Sequence, residues 1–292
     1  MKKSKILVLF IIVLFILSPL SAQTSEQNQS SHRIRQAIEI LKFEISLLQM
    51  LISNWQSEQA VNAASYLAVN LSDNSVLLEK NTNQTYPIAS ITKLMSAVIT
   101  LESIDQKEKI TLTEEMLKPH GQSPTLYLGL NISVDKLLKA SLIQSSNDAS
   151  EAISHFPGKN NFVALMNQKG KELGMTDTVF YDSHGLNPLN RSTASDLVKL
   201  IAYIHKNHPE ILQISRENDF WLPDETEALL KFRNVNNFYP LHNFVGGKTG
   251  YLPEARQTLA SVFEIDNQPI AIIVLYSRNR QADTFGIIKK LR

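Results

Sequence analysis

Pro87-Ile88-Ala89-Ser90-Ile91-Thr92-Lys93-Leu94-Met95-Ser96-Ala97 is the stretch on which the reading of this chain turns. It sets a serine and a lysine three residues apart at the start of an apolar run entered from a proline, a residue favoured just ahead of a helix. A helix is therefore expected from Ser90 to Leu101. On it Ser90 and Lys93 lie one turn apart, so the amine can take the hydroxyl proton and leave the serine a nucleophile. A lone Ser-x-x-Lys is most often an exposed helical pair. Chemistry also needs a proton route to the leaving group, an oxyanion site and a grip on the substrate.

Two further motifs can supply them. Ser145-Ser146-Asn147 follows a helical stretch from Leu137 to Gln144, and offers a hydroxyl for proton shuttling and an amide to hold Lys93 or the substrate. Lys248-Thr249-Gly250 lies within Val245-Gly246-Gly247-Lys248-Thr249-Gly250-Tyr251, whose glycines suggest a strand that a substrate backbone approaches closely. Lys93 must be neutral to act as a base, so its pKa has to be lowered by burial or a neighbouring cation, and Lys248 is expected to be that cation. Lys248 also attracts a substrate carboxylate. Thr249 can hydrogen-bond that carboxylate, while a backbone N–H near Tyr251 helps hold the oxyanion. The motifs are 55 and 103 residues apart, enough to bring helix, loop and strand to one cleft.

The chain has 292 residues, 43% of them hydrophobic, which suits one sizeable domain. Net charge is +1 with both signs well mixed, so no nucleic-acid footprint is present. The absence of cysteine excludes disulfides, thiolate metal sites and a cysteine nucleophile. Lys2, Lys3 and Lys5 precede an apolar run from Ile6 to Leu17 and then Ser18-Pro19-Leu20-Ser21-Ala22, the pattern of an export signal. Residues 1–22 are thus expected to be a signal peptide or an uncleaved N-terminal membrane anchor. The run is shorter than the roughly 18 residues of a full span.

Residues 23–31, rich in Gln, Ser and Asn, read as a linker. Residues 32–60 read as an amphipathic helical segment. Ile34, Ile38, Leu41, Ile45, Leu48, Ile52 and Trp55 form a heptad-like seam, broadened by Ile40, Phe43, Leu47 and Leu51, so packing or membrane-proximal contact is favoured over a coiled coil. The folded domain is expected over 61–292. It opens with a hairpin of Tyr66–Asn70 and Ser75–Glu79, continues through helices near 134–143, 162–173 and 195–205, and closes with strands at 258–264 and 270–276 and a last helix. Strands at both ends around a helical middle make an α+β fold, with an antiparallel sheet flanked by helices.

The three motifs in this order resemble those of penicillin-binding proteins and class A β-lactamases. Within that group the chain is most similar to the low-molecular-mass D-alanyl-D-alanine carboxypeptidases of peptidase family S11. The likeness is carried by Pro87–Leu94, Ser146-Asn147-Asp148-Ala149, Leu173-Gly174-Met175 with His184-Gly185-Leu186, and Gly247–Tyr251. It implies a β-lactamase/transpeptidase-like fold over 61–292, with Ser90, Lys93, Ser145 and Asn147 catalytic and Lys248, Thr249, Gly250 and Tyr251 binding substrate. The family's carboxylate-contacting arginine falls on Arg280, with Arg278 competing. The resemblance implies an acyl-enzyme on Ser90, release of a terminal D-alanine from a peptidoglycan stem peptide, inhibition by β-lactams, and no cofactor. Two departures stand out: Arg256 follows Ala255 where a small residue is typical, and Ser146 replaces the usual Gly or Ala.

A D,D-endopeptidase uses the same residues. A β-lactamase of class A needs a glutamate in a Glu-x-x-Leu-Asn loop, and none lies between Asn147 and Lys248. A cell-wall binding protein that has lost catalysis is the third alternative. The seven histidines show no metal-ligand spacing, and His184 and His242 read as structural.

Overall fold

A computed structural model describes residues 38–49, 61–119, 126–223 and 229–292. The expected signal or anchor (1–22) and linker (23–31) lie outside the described residues. The chain divides into two units, Met1–Trp55 and Gln56–Arg292. Of the first, residues 38–49 form a helix on which Ile40, Phe43 and Ile45 are exposed; Ile34, Ile52 and Trp55 of the expected seam lie outside the described residues. No helix among the described residues is long and apolar enough to cross a membrane.

The second unit is built on a five-stranded antiparallel sheet. Its members are β1 (Ser65–Asn70), β2 (Val76–Lys80), β9 (Phe244–Leu252), β10 (Arg256–Ile265) and β11 (Gln268–Ser277), in the order β2-β1-β11-β10-β9. Three two-stranded ladders complete the strands: β3 (Tyr86–Pro87) with β6 (Arg191–Ser192), β4 (Lys109–Thr111) with β5 (Asn131–Ser133), and β7 (Phe220–Pro223) with β8 (Leu229–Phe232). As expected, the first and last parts of the chain close one sheet: β1 pairs with β11 from Ser65↔Leu275 to Asn70↔Ile270.

The inner strands of the sheet are buried on both faces, whereas the edge strand β2 is largely exposed. Along β11, Ala271, Ile273 and Leu275 join the main core, while the alternate residues Ile270, Ile272 and Val274 are buried on the other side. That is why this strand reads as an unbroken apolar run. On the second face Phe238 meets Phe263 and Phe285 edge-on, with ring centroids 5.7 and 5.9 Å apart.

Helices fill the middle of the chain: α1 (Thr92–Ser103), α2 (Val134–Ile143), α3 (Asn147–Ser154), α4 (Lys159–Glu172), α5 (Ala194–Asn207) and α6 (Pro209–Ser215), with α7 (Arg280–Leu291) last. Every residue of α1 from Thr92 to Thr100 is buried, so this helix runs through the core. It starts two residues later than expected, because Ala89–Ile91 form a tighter 3-10 turn. Sequence reading misses α3, α6 and the β7–β8 hairpin.

Candidate active site

The 3-10 turn that carries Ser90 is fixed from several sides. The Ile88 N–H donates to the Asn190 carbonyl (3.0 Å), and the Thr258 hydroxyl donates to the Ile88 carbonyl (3.1 Å). Ala89 is held at φ 50°, a left-handed conformation that non-glycine residues adopt at a cost and that clusters at functional sites. Two glycines make the fit possible. A Cβ on Gly185, itself at φ +88°, would lie 2.1 Å from the Ala89 carbonyl oxygen, and one on Gly250 would lie 2.9 Å from the Ser90 nitrogen. Gly185→Ala is expected to destabilise the fold by about 3 kcal/mol and to slow acylation of Ser90 about tenfold. Urea unfolding and stopped-flow labelling with a fluorescent penicillin measure the two effects.

Lys93 is 0% exposed, and its Nζ donates toward Ser90 Oγ (3.1 Å), Asn147 Oδ1 (2.7 Å) and the His184 carbonyl (2.6 Å). The two shorter contacts go to oxygens that can only accept. A neutral amine has two N–H bonds, which these oxygens take, and its lone pair is left for the Ser90 hydroxyl. Burial pushes the Lys93 pKa from 10.5 down to about 7, against the opposing pull of the Asp182 carboxylate.

Lys248 is a second buried amine, its pKa held well below the usual lysine value by burial first, then by Lys93 and Arg280. Burial is thus the main cause at both amines, and their mutual repulsion adds to it. The His184 backbone carbonyl is a direct partner of Lys93.

Ser145 sits in the corner between α2 and α3 at φ 60°, with its Oγ accepting from Lys248 Nζ at 2.9 Å. The next residue explains one departure from the family pattern. Ser146 is the N-cap of α3, and its hydroxyl accepts the Ala149 N–H (3.0 Å), a bond worth about 1 kcal/mol that Gly or Ala cannot make. The cap starts α3 at Asn147 and so sets the position of its amide.

Lys248 is 1% exposed on β9, and its Nζ also donates to the Thr249 carbonyl (3.1 Å). On this outermost strand the Gly247 N–H donates to Ser215 Oγ and its carbonyl accepts from Asn236 Nδ2, so both point away from β10. With a strand period of two, the N–H and C=O groups of Thr249 and Tyr251 also face the free edge.

Ser90, Ser145, Asn147, Thr249, Gly250, Tyr251 and Arg280 all line one cleft of about 400 Å³, walled by Gly185, Leu186, Val235 and Leu252. Lys93 and Lys248 lie buried directly behind it, bonded to its serines. Arg280 Nη1 donates to the Gly250 carbonyl (3.0 Å), whereas Arg278 is exposed and does not line the cleft. Arg256 is not among the lining residues; its guanidinium lies 4.4 Å from the Tyr276 ring centroid, and that ring stacks on Tyr86 at 5.5 Å.

Sequence reasoning missed Asp182 and Glu151. Asp182 accepts the backbone N–H groups of His184, Gly185 and Asn187 and the Asn190 amide, which folds the loop carrying the His184 carbonyl. The Asp182-x-x-Gly185 spacing hints at such a turn. Among the described residues no cluster of His, Asp or Glu could hold a metal ion.

Comparison with known proteins agrees with this geometry. The chain is 34% identical over 241 residues to the D-alanyl-D-alanine endopeptidase of Escherichia coli (strain K12), covering 79% of this chain and 74% of that protein. It is 29% identical to the D-alanyl-D-alanine carboxypeptidase DacF of Bacillus subtilis (strain 168), over 74% of this chain and 58% of the other. The crystal structure of a D-alanyl-D-alanine carboxypeptidase from Mycobacterium tuberculosis H37Rv superposes with a TM-score of 0.74 at 23% identity, covering 80% of this chain and 91% of that one, which bears out the fold. Residues 52–279 match the pattern of peptidase family S11, and the chain belongs to this D-alanyl-D-alanine carboxypeptidase family.

Proposed function

We propose that the chain is an exported serine D-Ala-D-Ala carboxypeptidase acting on peptidoglycan stem peptides through an acyl-enzyme on Ser90. The observation that carries the reading is the Lys93 amine, 3.1 Å from Ser90 Oγ and otherwise bonded to two oxygens that only accept. Ser90 Oγ attacks the carbonyl of the penultimate D-alanine as its proton passes to Lys93. Ser90 stands at the N-terminal end of buried α1, and the Tyr251 N–H faces the free edge of β9, so backbone donors meet the developing oxyanion. Ser145, bonded to Lys248, carries a proton to the departing amine. Lys248, Thr249 and Arg280 form a cationic, hydroxyl-bearing end of the cleft suited to the terminal carboxylate. Water then releases the acyl group, and β-lactams enter the same path and stop at the acyl-enzyme.

The Escherichia coli relative's name favours a second reading, a D,D-endopeptidase that cuts cross-links with the same residues. Digestion of purified muropeptides, with products weighed by mass spectrometry, separates the two. Loss of one alanine from monomers supports the carboxypeptidase, and splitting of dimers supports the endopeptidase. Rapid turnover of a chromogenic cephalosporin without a stable adduct would instead indicate a β-lactamase. Failure of the wild type to label with penicillin would indicate a non-catalytic binding protein.

Lys248→Gln is expected to slow acylation by about a hundredfold as well as to weaken binding, because it removes the amine that donates to the Ser145 hydroxyl behind the cleft. Single-turnover acylation separates these effects, and an unchanged rate constant would leave Lys248 with a binding role alone.

A further inference from the structure

Glu151 stands outside the machinery described so far. It lies one turn beyond Asn147 on α3, and its side chain is only 6% exposed. A buried carboxylate is costly unless its oxygens are matched. Lys159, from the first turn of α4, makes a close ion pair with Oε1, and His155 Nε2 is 3.6 Å from the same oxygen. Glu115 approaches the outer side of Lys159 at 3.9 Å. The second oxygen, Oε2, faces His184 Nε2 at 3.6 Å.

The other ring nitrogen of His184 reports which tautomer is present. The Leu186 N–H donates to Nδ1 at 3.2 Å, so Nδ1 carries no proton and a neutral ring has its hydrogen on Nε2, the side of Glu151. Burial first, with Lys93 and Lys159 adding repulsion, holds this imidazole below the ordinary histidine pKa against Asp182 and Glu151. Asp182 Oδ1 lies 3.5 Å from Nδ1, on the other side of the ring from Glu151, so it does not face the Nε2 hydrogen. Its oxygens already accept from three backbone N–H groups and the Asn190 amide.

His184 joins Glu151 to the cleft in two ways: its ring accepts the N–H of the cleft-lining Leu186, and its carbonyl accepts from Lys93. We propose that Glu151 is a positioning residue that keeps the His184 ring in its Nε2–H tautomer, and through it holds the 184–186 wall of the cleft against Lys93. The effect on the reaction rests on the reading of Ser90 as nucleophile and Lys93 as base. The tautomer does not.

Long-range proton–nitrogen correlation spectra of histidine-labelled full-length protein, with His184 assigned by His184→Gln, test the first part. Stopped-flow acylation by a fluorescent penicillin across the neutral pH range tests the second. The wild type is expected to show the Nε2–H form. Glu151→Ala should give mixed tautomers and acylation slowed by about tenfold to a hundredfold. Glu151→Gln, which keeps an oxygen to face Nε2–H, should recover most of the rate with the wild-type tautomer. An Nδ1–H ring in the wild type, or wild-type acylation and an unchanged tautomer in Glu151→Ala, overturns the proposal while leaving the reading of Ser90 intact. A wild type that does not acylate at all overturns that reading instead, and the spectra then decide the brace alone.

Discussion

Ser90→Ala is expected to abolish covalent labelling by fluorescent penicillin and to lower D,D-peptidase turnover by about five to six orders of magnitude, the loss seen when an acyl-enzyme nucleophile is removed. The variant should fold, since Ser90 Oγ has one contact from Lys93 and sits at the surface of the cleft. Lys93 keeps its stronger bonds to Asn147 and His184 without it. Gel fluorescence and the intact mass of the adduct are the measurements. Label that persists in the variant means another nucleophile, and the only other cleft hydroxyls are Ser145, Thr249 and Tyr251 among the described lining residues.

Lys93→Gln should cost about three to four orders of magnitude in acylation, because the base is lost while the amide can still occupy part of the same space. The wild-type pH profile carries the diagnostic sign. A base must be unprotonated, and Lys93 is neutral above its folded pKa of about 7, so the acylation rate constant should climb with pH through about 7 and flatten above it. Stability should follow the same direction. Between about 7 and 10.5 the unfolded chain binds a proton that the folded chain does not, so the penalty of burying a charged amine is complete below 7 and is relieved as pH rises toward 10.5. Lys248, also lowered, adds to this slope. A rate profile that falls as pH rises through 7, or a Lys93→Gln variant with the wild-type limb, would remove Lys93 from the role of base.

Much of this was readable from residues because the informative segments are chemically extreme. The last two long strands are apolar on both faces, and α1 is apolar all round, so each announces itself without context. The three motifs carried their own spacing. The illegible parts depend on contacts distant in sequence. Helix α3, reading Asn-Asp-Ala-Ser-Glu-Ala-Ile-Ser, has too few apolar residues to be seen, and its polar residues are buried, with Ser150 and Glu151 facing Ser183 and His184. Nothing in the string tells that Gly185 must clear the Ala89 carbonyl. The weight of the two sources of the Lys93 shift was hidden for the same reason: a neighbouring cation can be guessed from a motif, but full burial is a property of the packed fold. The place of Arg256 was equally hidden: it departs from the family pattern in sequence, and in the fold its guanidinium lies over the Tyr276 ring.

The outermost position of β9 has a consequence beyond catalysis. An unpaired strand edge invites any extended chain, including a second copy of the protein, to add to the sheet. Here the first half of that edge is already closed, since Gly247 is bonded on its outer side by Ser215 and Asn236 and Gly246 lies tight against Leu212. What stays open is the short stretch from Thr249 to Leu252, the part of the edge that lines the cleft and too brief to template a long intruding strand. The side chains of Ser215 and Asn236 that hold Gly247 therefore also keep the sheet from growing.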